Sequence, residues 1–196
     1  MSTRIITPPD ELITVAQAAA FMRLDSYASE SDVISAITTA SRQWCEEYLN
    51  RAIGPQTLET IRDGFPIYGK RGVTLRSPLI SLTSVKYLDT SNTEQTLTLN
   101  TDFFLDDDSD QPAVRPYSTW PVALGISNSV KVRYTAGYND PSESPNTWPL
   151  PKTIRQAMLM LIADMYENRE AQSEKPLTAN RTIENLLSMY RLEMGI

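Results

Sequence analysis

Residues 150–170 read LPKTIRQAMLMLIADMYENRE, and inside them residues 157–163, AMLMLIA, are apolar on every side of a helix rather than along one stripe. A helix that is hydrophobic all round is covered all round, either in the middle of a large core or between its own chain and a neighbour. The stretch predicts a helix from Pro151 to about residue 169, with proline at the first turn, where its missing N–H costs nothing. Its second cover comes either from the chain's own elements or from a neighbouring subunit. On the second alternative, Met158, Leu161, Ile162 and Met165 are candidate interface residues.

Downstream, a polar loop at 170–179 precedes a short helix that sets Ile183, Leu186, Leu187 and Tyr190 on one face. That small apolar face near a chain end is a second candidate contact with a subunit or partner. Upstream, residues 141–151 hold four prolines and form a connector. From Gln56 to Gly137, β-branched and turn residues dominate and no helical period persists. The expected strands are 73–76, 83–88, 93–99, 103–106 and 130–135, the second and third joined as a hairpin across Asp89 to Asn92. Val130, Val132 and Tyr134 alternate with Lys131 and Arg133, as one buried sheet face requires.

Nearer the start, Thr14 and Gln17 have capping-box spacing ahead of Val15, Ala18, Ala19 and Met22. A longer helix is predicted from about 31 to 51. It carries Val33, Ile34, Ile37, Ala40, Trp44, Tyr48 and Leu49 at three-and-four spacing and is stopped by Gly54 and Pro55. The expected fold class is therefore α+β. Two N-terminal helices, one long C-terminal helix and one short one form a helical core, with a β-rich insertion between helices. The predicted boundaries are 1–55, 56–140 and 141–196, making one domain overall.

A chain of 196 residues has length enough for a sizeable core. It has no histidine and one cysteine, which removes the commonest general base, the commonest transition-metal ligand and any internal disulfide. Cys45 follows Trp44 in mid-helix, without the terminus position or adjacent base that activates a thiol. The net charge of -6 argues against a protein that grips phosphates. No stretch approaches the ~20 apolar residues that span a bilayer, and no signal segment is visible at the start. The reading is a non-enzymatic protein with no cofactor, no metal and no membrane partner.

Two features were weighed as sites. Asp106, Asp107, Asp108 and Asp110 place carboxylates at alternate positions like the start of a calcium loop. However, Gln111 stands where that loop needs glycine and Tyr117 where it needs glutamate, so a solvated acidic loop is expected. Trp120, Trp148, Tyr117 and Tyr138 lie in or beside proline-rich loops, where exposed aromatics anchor partners or cap a β core.

Five stretches in register carry a resemblance: LITVAQAAAFMRLD (12–25), EEYLNRAI (46–53), SPLISLTSVKYLD (77–89), VRYTAGY (132–138) and the opening LPKTIRQAMLMLIADMYENRE. Together they resemble the head-tail connector, or head-completion adaptor, family of long-tailed bacteriophages. The resemblance implies a ring of about a dozen copies at the capsid vertex. It also implies docking on the portal protein, contact with a tail-side or head-closure protein, and a virion location at the neck, with host cytoplasm during assembly. DNA would then pass through without specific binding, past an acidic wall that repels phosphates. The smallest connectors resembling this chain are almost wholly helical, so residues 56–137 depart from the pattern. The competing reading is a β-rich receptor or carbohydrate-binding module of a phage particle, built around Trp120 or Trp148. A carboxylate-dependent hydrolase at Asp106 to Asp110 is a third.

Overall fold

The first element of the chain is a strand, Ser2–Thr7 (β1), closed by Pro8 and Pro9. The structure, a computed structural model, describes residues 2–66, 72–107, 109–139, 149–168 and 181–192. After β1 come two helices, Val15–Phe21 (α1) and Ser31–Leu49 (α2). Seven strands follow: Gln56–Arg62 (β2), Val73–Thr74 (β3), Leu79–Leu88 (β4), Glu94–Leu97 (β5), Phe103–Asp106 (β6), Ala113–Pro116 (β7) and Val130–Ala136 (β8). The last elements are Lys152–Glu167 (α3) and Arg181–Ser188 (α4). By its contacts the chain divides into a sheet unit, Met1–Asp10 with Gly54–Tyr138, and a helical unit, Glu11–Ile53 with Asn139–Ile196.

In the sheet unit, five antiparallel strands run in the order β1-β2-β8-β4-β5, and three more in the order β3-β7-β6. β8 is central. Val130, Val132, Tyr134 and Ala136 point inward, with Leu58 and Thr60 of β2 paired to Tyr134 and Val132. Val73, Phe103 and Val114 complete the buried set from the smaller sheet. Tyr134 is fully buried, yet its hydroxyl is satisfied by Thr60 Oγ1 at 3.2 Å and by the Arg76 backbone N–H at 3.0 Å. Burial pushes its phenol above the ordinary range. Where β8 ends, Gly137 sits at φ 138°, and a Cβ there would stand 2.3 Å from the Gly54 carbonyl oxygen. Only glycine allows that crossing of two backbones.

In the helical unit, Thr14 caps α1 with reciprocal bonds. Its Oγ1 accepts from the Gln17 N–H at 3.2 Å, and Gln17 Oε1 accepts from the Thr14 N–H at 3.1 Å. Helix α2 stops at Leu49 because Asn50 takes the left-handed conformation, φ 55°, four residues before the expected Gly54. α3 packs against α2, α4 and α1, burying Ile154, Ala157, Met158, Leu161 and Ile162. Ile183 and Leu187 of α4 are buried as well. The segment after α4 is tied back: Arg51 Nε donates to the Tyr190 carbonyl at 2.7 Å, and the Leu192 N–H to the Leu49 carbonyl at 3.0 Å.

The expected architecture, a helical core with a β-rich insertion between helices, is overturned. Eight strands in two antiparallel sheets weigh comparably with the four α-helices among the described residues, and helices are spread along the chain that opens on a strand. The cause lies in β1 and β2. All six residues of β1 are exposed, so it has no buried period to read. β2 buries Gln56, Glu59 and Thr60 beside Leu58 and Ile61, so polar residues sit where an alternating strand would place apolar ones.

Candidate interaction surfaces

Helix α2 buries polar side chains beside apolar ones. Its buried residues are Ile34, Thr38, Ser41, Arg42, Cys45, Glu46 and Leu49, while Val33, Ala36, Ala40 and Trp44 line the opposite, exposed side. Arg42 is the centre of a buried ion network. Its Nε donates to Glu11 Oε1 at 3.0 Å and its guanidinium to Glu46 Oε2 at 2.7 Å. Glu46 Oε1 in turn accepts the Ile53 N–H at 2.7 Å, and the Thr39 hydroxyl donates to Glu11 at 2.9 Å. One buried cation thus holds the start of the unit, the helix and the residue that ends the segment. Thr38 returns its hydroxyl to the Ile34 carbonyl at 2.8 Å, which satisfies it inside the core. Sequence spacing grouped Val33, Ile37, Ala40, Trp44 and Tyr48 with the core stripe. Arg42 and Glu46, an ion pair one helical turn apart, are buried, where such spacing by itself reads as a solvated pair.

On the exposed side of α2, Val33, Ala36, Ala40 and Trp44 stand among exposed Asp32, Ser35, Gln43 and Glu47. Val33 is 42% exposed and Trp44 36%, with small residues Ala36 and Ala40 between them. At its C-terminal end Trp44 stacks on Tyr48 at 5.3 Å, and the Arg191 guanidinium lies over the Tyr48 ring at 5.1 Å. α1 likewise leaves Ala16, Gln17, Ala20 and Phe21 outside, with Ala18 and Ala19 buried.

The candidate interface residues divide by depth. Met158, Leu161, Ile162, Ile183 and Leu187 are buried in the helical unit. Met165, Leu186 and Tyr190 are half-buried, Met165 accepting from the Ser41 hydroxyl through sulfur at 3.5 Å. The opposite side of α3 carries Leu159, Met160 and Ala163, also half-buried. Cys45 is buried, and burial together with the neighbouring Glu46 carboxylate pushes its thiol up to about 12.

In the sheet unit, the aromatic loops make a cleft of about 540 Å³ lined by Asp63, Phe65, Trp120, Pro121 and Val122, among others. Phe65 stacks flat on Trp120 at 4.4 Å and meets Tyr87 edge-on at 5.7 Å. One face of the indole is therefore already occupied by Phe65. Tyr117, 49% exposed, leans on Phe104, and Tyr138 is buried. Trp148 lies outside the described residues. Of the acidic group, Asp106 accepts from Arg115 Nε at 2.6 Å, Asp107 and Asp110 are exposed, and Asp108 lies outside the described residues. The outer face of the larger sheet holds a second ion cluster, in which Glu59 bridges Arg4 of β1 and Arg133 of β8, the latter at 2.8 Å. Burial works against the Glu59 charge, but hydrogen bonds and charge from Arg133 and Arg4 outweigh it and hold the carboxyl below the usual carboxylate range. Among the described residues, no helix is long and apolar enough to cross a membrane.

No protein-family model matches the chain, and no curated protein resembles it in sequence. Solved structures do resemble it in fold. A chain of the virion of a native gene transfer agent particle superposes with TM-score 0.79 at 18% identity, covering 100% of this chain and 98% of that one. A chain from the neck of an empty particle of this kind, with C6 symmetry, gives 0.78 at 17% identity, again over 100% and 98%. One from the neck of the native particle, with C12 symmetry, gives 0.68 at 16%, over 100% and 98%. The chain thus has, over its whole length, a fold used in the virion and neck of gene transfer agent particles.

Proposed function

We propose that this protein is a structural component of the neck of a tailed-phage-like particle. In that role it is a head-tail connector that assembles as a ring of about a dozen copies, docks on a portal protein, meets a tail-side or head-closure protein and continues the DNA channel. The observation that carries the reading is the end-to-end fold likeness to chains of gene transfer agent necks with C6 and C12 symmetry. The five resembling sequence stretches support the same assignment from independent ground. A net charge of -6 per copy suits a wall past which DNA slides without sticking. Of the candidate contact residues, the half-buried Met165, Leu186 and Tyr190 are those that a partner reaches without unpacking the helical unit.

The test is the native mass of the purified protein by sedimentation over a wide concentration range, with negative-stain imaging of large species. Closed rings of about a dozen subunits are expected. A chain that stays monomeric, alone and with purified portal vertices, would sink the reading.

A further inference from the structure

We propose that β1 is an exchange arm: in the assembled ring, residues 2–7 of one copy leave their own β2 and pair with β2 of the next copy. The register is the one that β1 keeps here within a single chain. The proposal rests on the ring reading above and names one of its contacts. What receives the arm is visible in the structure, because β1 already occupies it. Ser2, Thr3, Arg4 and Ile5 pair antiparallel with Ile61, Thr60, Glu59 and Leu58. Thr3 Oγ1 lies 3.1 Å from Thr60 Oγ1, and the Arg4 guanidinium donates to Glu59. The same strand arriving from another copy meets the same partners and needs no new complementarity.

Three observations mark β1 as separable. All six of its residues are exposed, Ile5 at 54% and Ile6 at 39%, so none of its side chains belongs to the core, and β8 keeps both neighbours, β2 and β4, without it. Its attachment also has a sharp limit. A Cβ on Gly54 would stand 2.4 Å from the Asp10 carbonyl oxygen and 2.8 Å from Pro9 Cβ, so the chain is packed from Pro9 onward, while Pro8 is exposed and the ladder shifts register just before it, between Ile5 and Thr7. Two prolines in series fix φ and keep the residue before them extended, so the arm swings as a stiff piece. Finally, an edge strand that is to stay solvated carries several charges or a proline, whereas β1 carries one charge, no proline and four β-branched residues, Thr3, Ile5, Ile6 and Thr7. β2 supplies the specificity. Glu59 is 3% exposed and Thr60 fully buried, and they engage Arg4 and Thr3 on opposite faces of the sheet, which pins the register of whichever arm arrives. A ring closes through unlike patches, and the arm and the β2 edge are such a pair, each copy giving one and taking one. Exchange gives up none of the pairing described and gains the local concentration that neighbours in a ring impose.

The experiment uses the full chain with Thr3→Cys and Thr60→Cys together. The two positions face each other in an antiparallel pair, whose Cα separation suits a disulfide, and the native Cys45 is buried. After assembly and mild oxidation, a denaturing gel without reductant should show covalently joined copies reaching about a dozen, and reductant should return them to single chains. Oxidised at a dilution that keeps copies apart, the bridge should close within one chain. Assembled rings whose bridges all close within single chains, or whose two thiols stay free, overturn the exchange and leave the ring standing. A chain that is monomeric throughout overturns the exchange and the ring together. If the double variant melts early, wild type mixed with an equal amount of chain lacking residues 2–7 replaces it. Such a chain takes an arm and gives none, so open runs should displace closed rings in sedimentation and imaging. Closed rings in that mixture, with or without the shortened chain in them, overturn the exchange.

Discussion

Arg42 neutralises the buried Glu46 carboxylate and the partly exposed Glu11 carboxylate. It is 4% exposed and Glu46 5%, and each of its contacts lies at 3.0 Å or less. Arg42→Met would leave Glu11 and Glu46 facing each other with no cation, at an expected cost of about 3–5 kcal/mol in urea unfolding. Replacing all three by apolar residues of similar volume should recover most of that loss, since the desolvation cost goes with the charges. Glu59 gives the acid limb of stability. Its carboxyl is held low in the folded chain, so its contribution is complete above the ordinary carboxylate value and drains away as pH falls through that value toward the folded one. Urea midpoints taken between about pH 6 and pH 3 should therefore fall more steeply for wild type than for Glu59→Gln. Cys45, with its thiol pushed up to about 12, should resist maleimide at neutral pH in the native protein and react once the chain is unfolded. Of these three residues only the cysteine was legible in the sequence. Its position in mid-helix already denied it activation, whereas the roles of Arg42 and Glu59 depend on partners 31 and 74 positions away.

At the scale of elements, what was legible was local. The Thr14 and Gln17 capping box closes within one turn, the β4–β5 hairpin turns on Asp89, whose carboxylate accepts the Ser91 and Thr93 N–H groups, and β8 alternates cleanly. What was not legible depended on long-range pairing. β1 has no buried side and is held by β2 through Arg4 to Glu59 and Thr3 to Thr60. α2 carries two competing stripes, and the buried one holds Arg42 and Glu46 beside Ile34, Cys45 and Leu49. Val33, Ala40 and Trp44, which the spacing counted as core, are therefore exposed. Gly137 shows the same dependence on distant chain. Its need for glycine comes from Gly54, and Gly137→Ala should cost more than about 1 kcal/mol in thermal unfolding, with the strand register otherwise intact.

At the scale of the molecule, each copy carries a net charge of -6, so a ring concentrates like charge and its closure opposes that repulsion. Salt screens such repulsion over distances longer than a Debye length while leaving apolar contacts in place. Assemblies should therefore tighten as salt rises from about 0.1 M to 1 M, read as a lower concentration for half-assembly in sedimentation. Dissolution by salt would point to ion pairs as the main adhesive instead.

The interleaving of the two units bears on how the chain is made. The sheet unit takes residues 1–10 and 54–138, the helical unit 11–53 and 139–196, and the middle strand of the larger sheet, β8, comes last of its five strands. A ribosome therefore releases β1, β2, β4 and β5 before the strand that joins β2 to β4 exists, and α1 and α2 before α3 and α4. Neither unit can be finished until synthesis is well past its midpoint, and α1 and α2 both wait for α3. Nascent chains stopped just short of residue 130 should thus be cut readily by protease throughout, and those carried beyond residue 138 should gain protection first in the sheet unit.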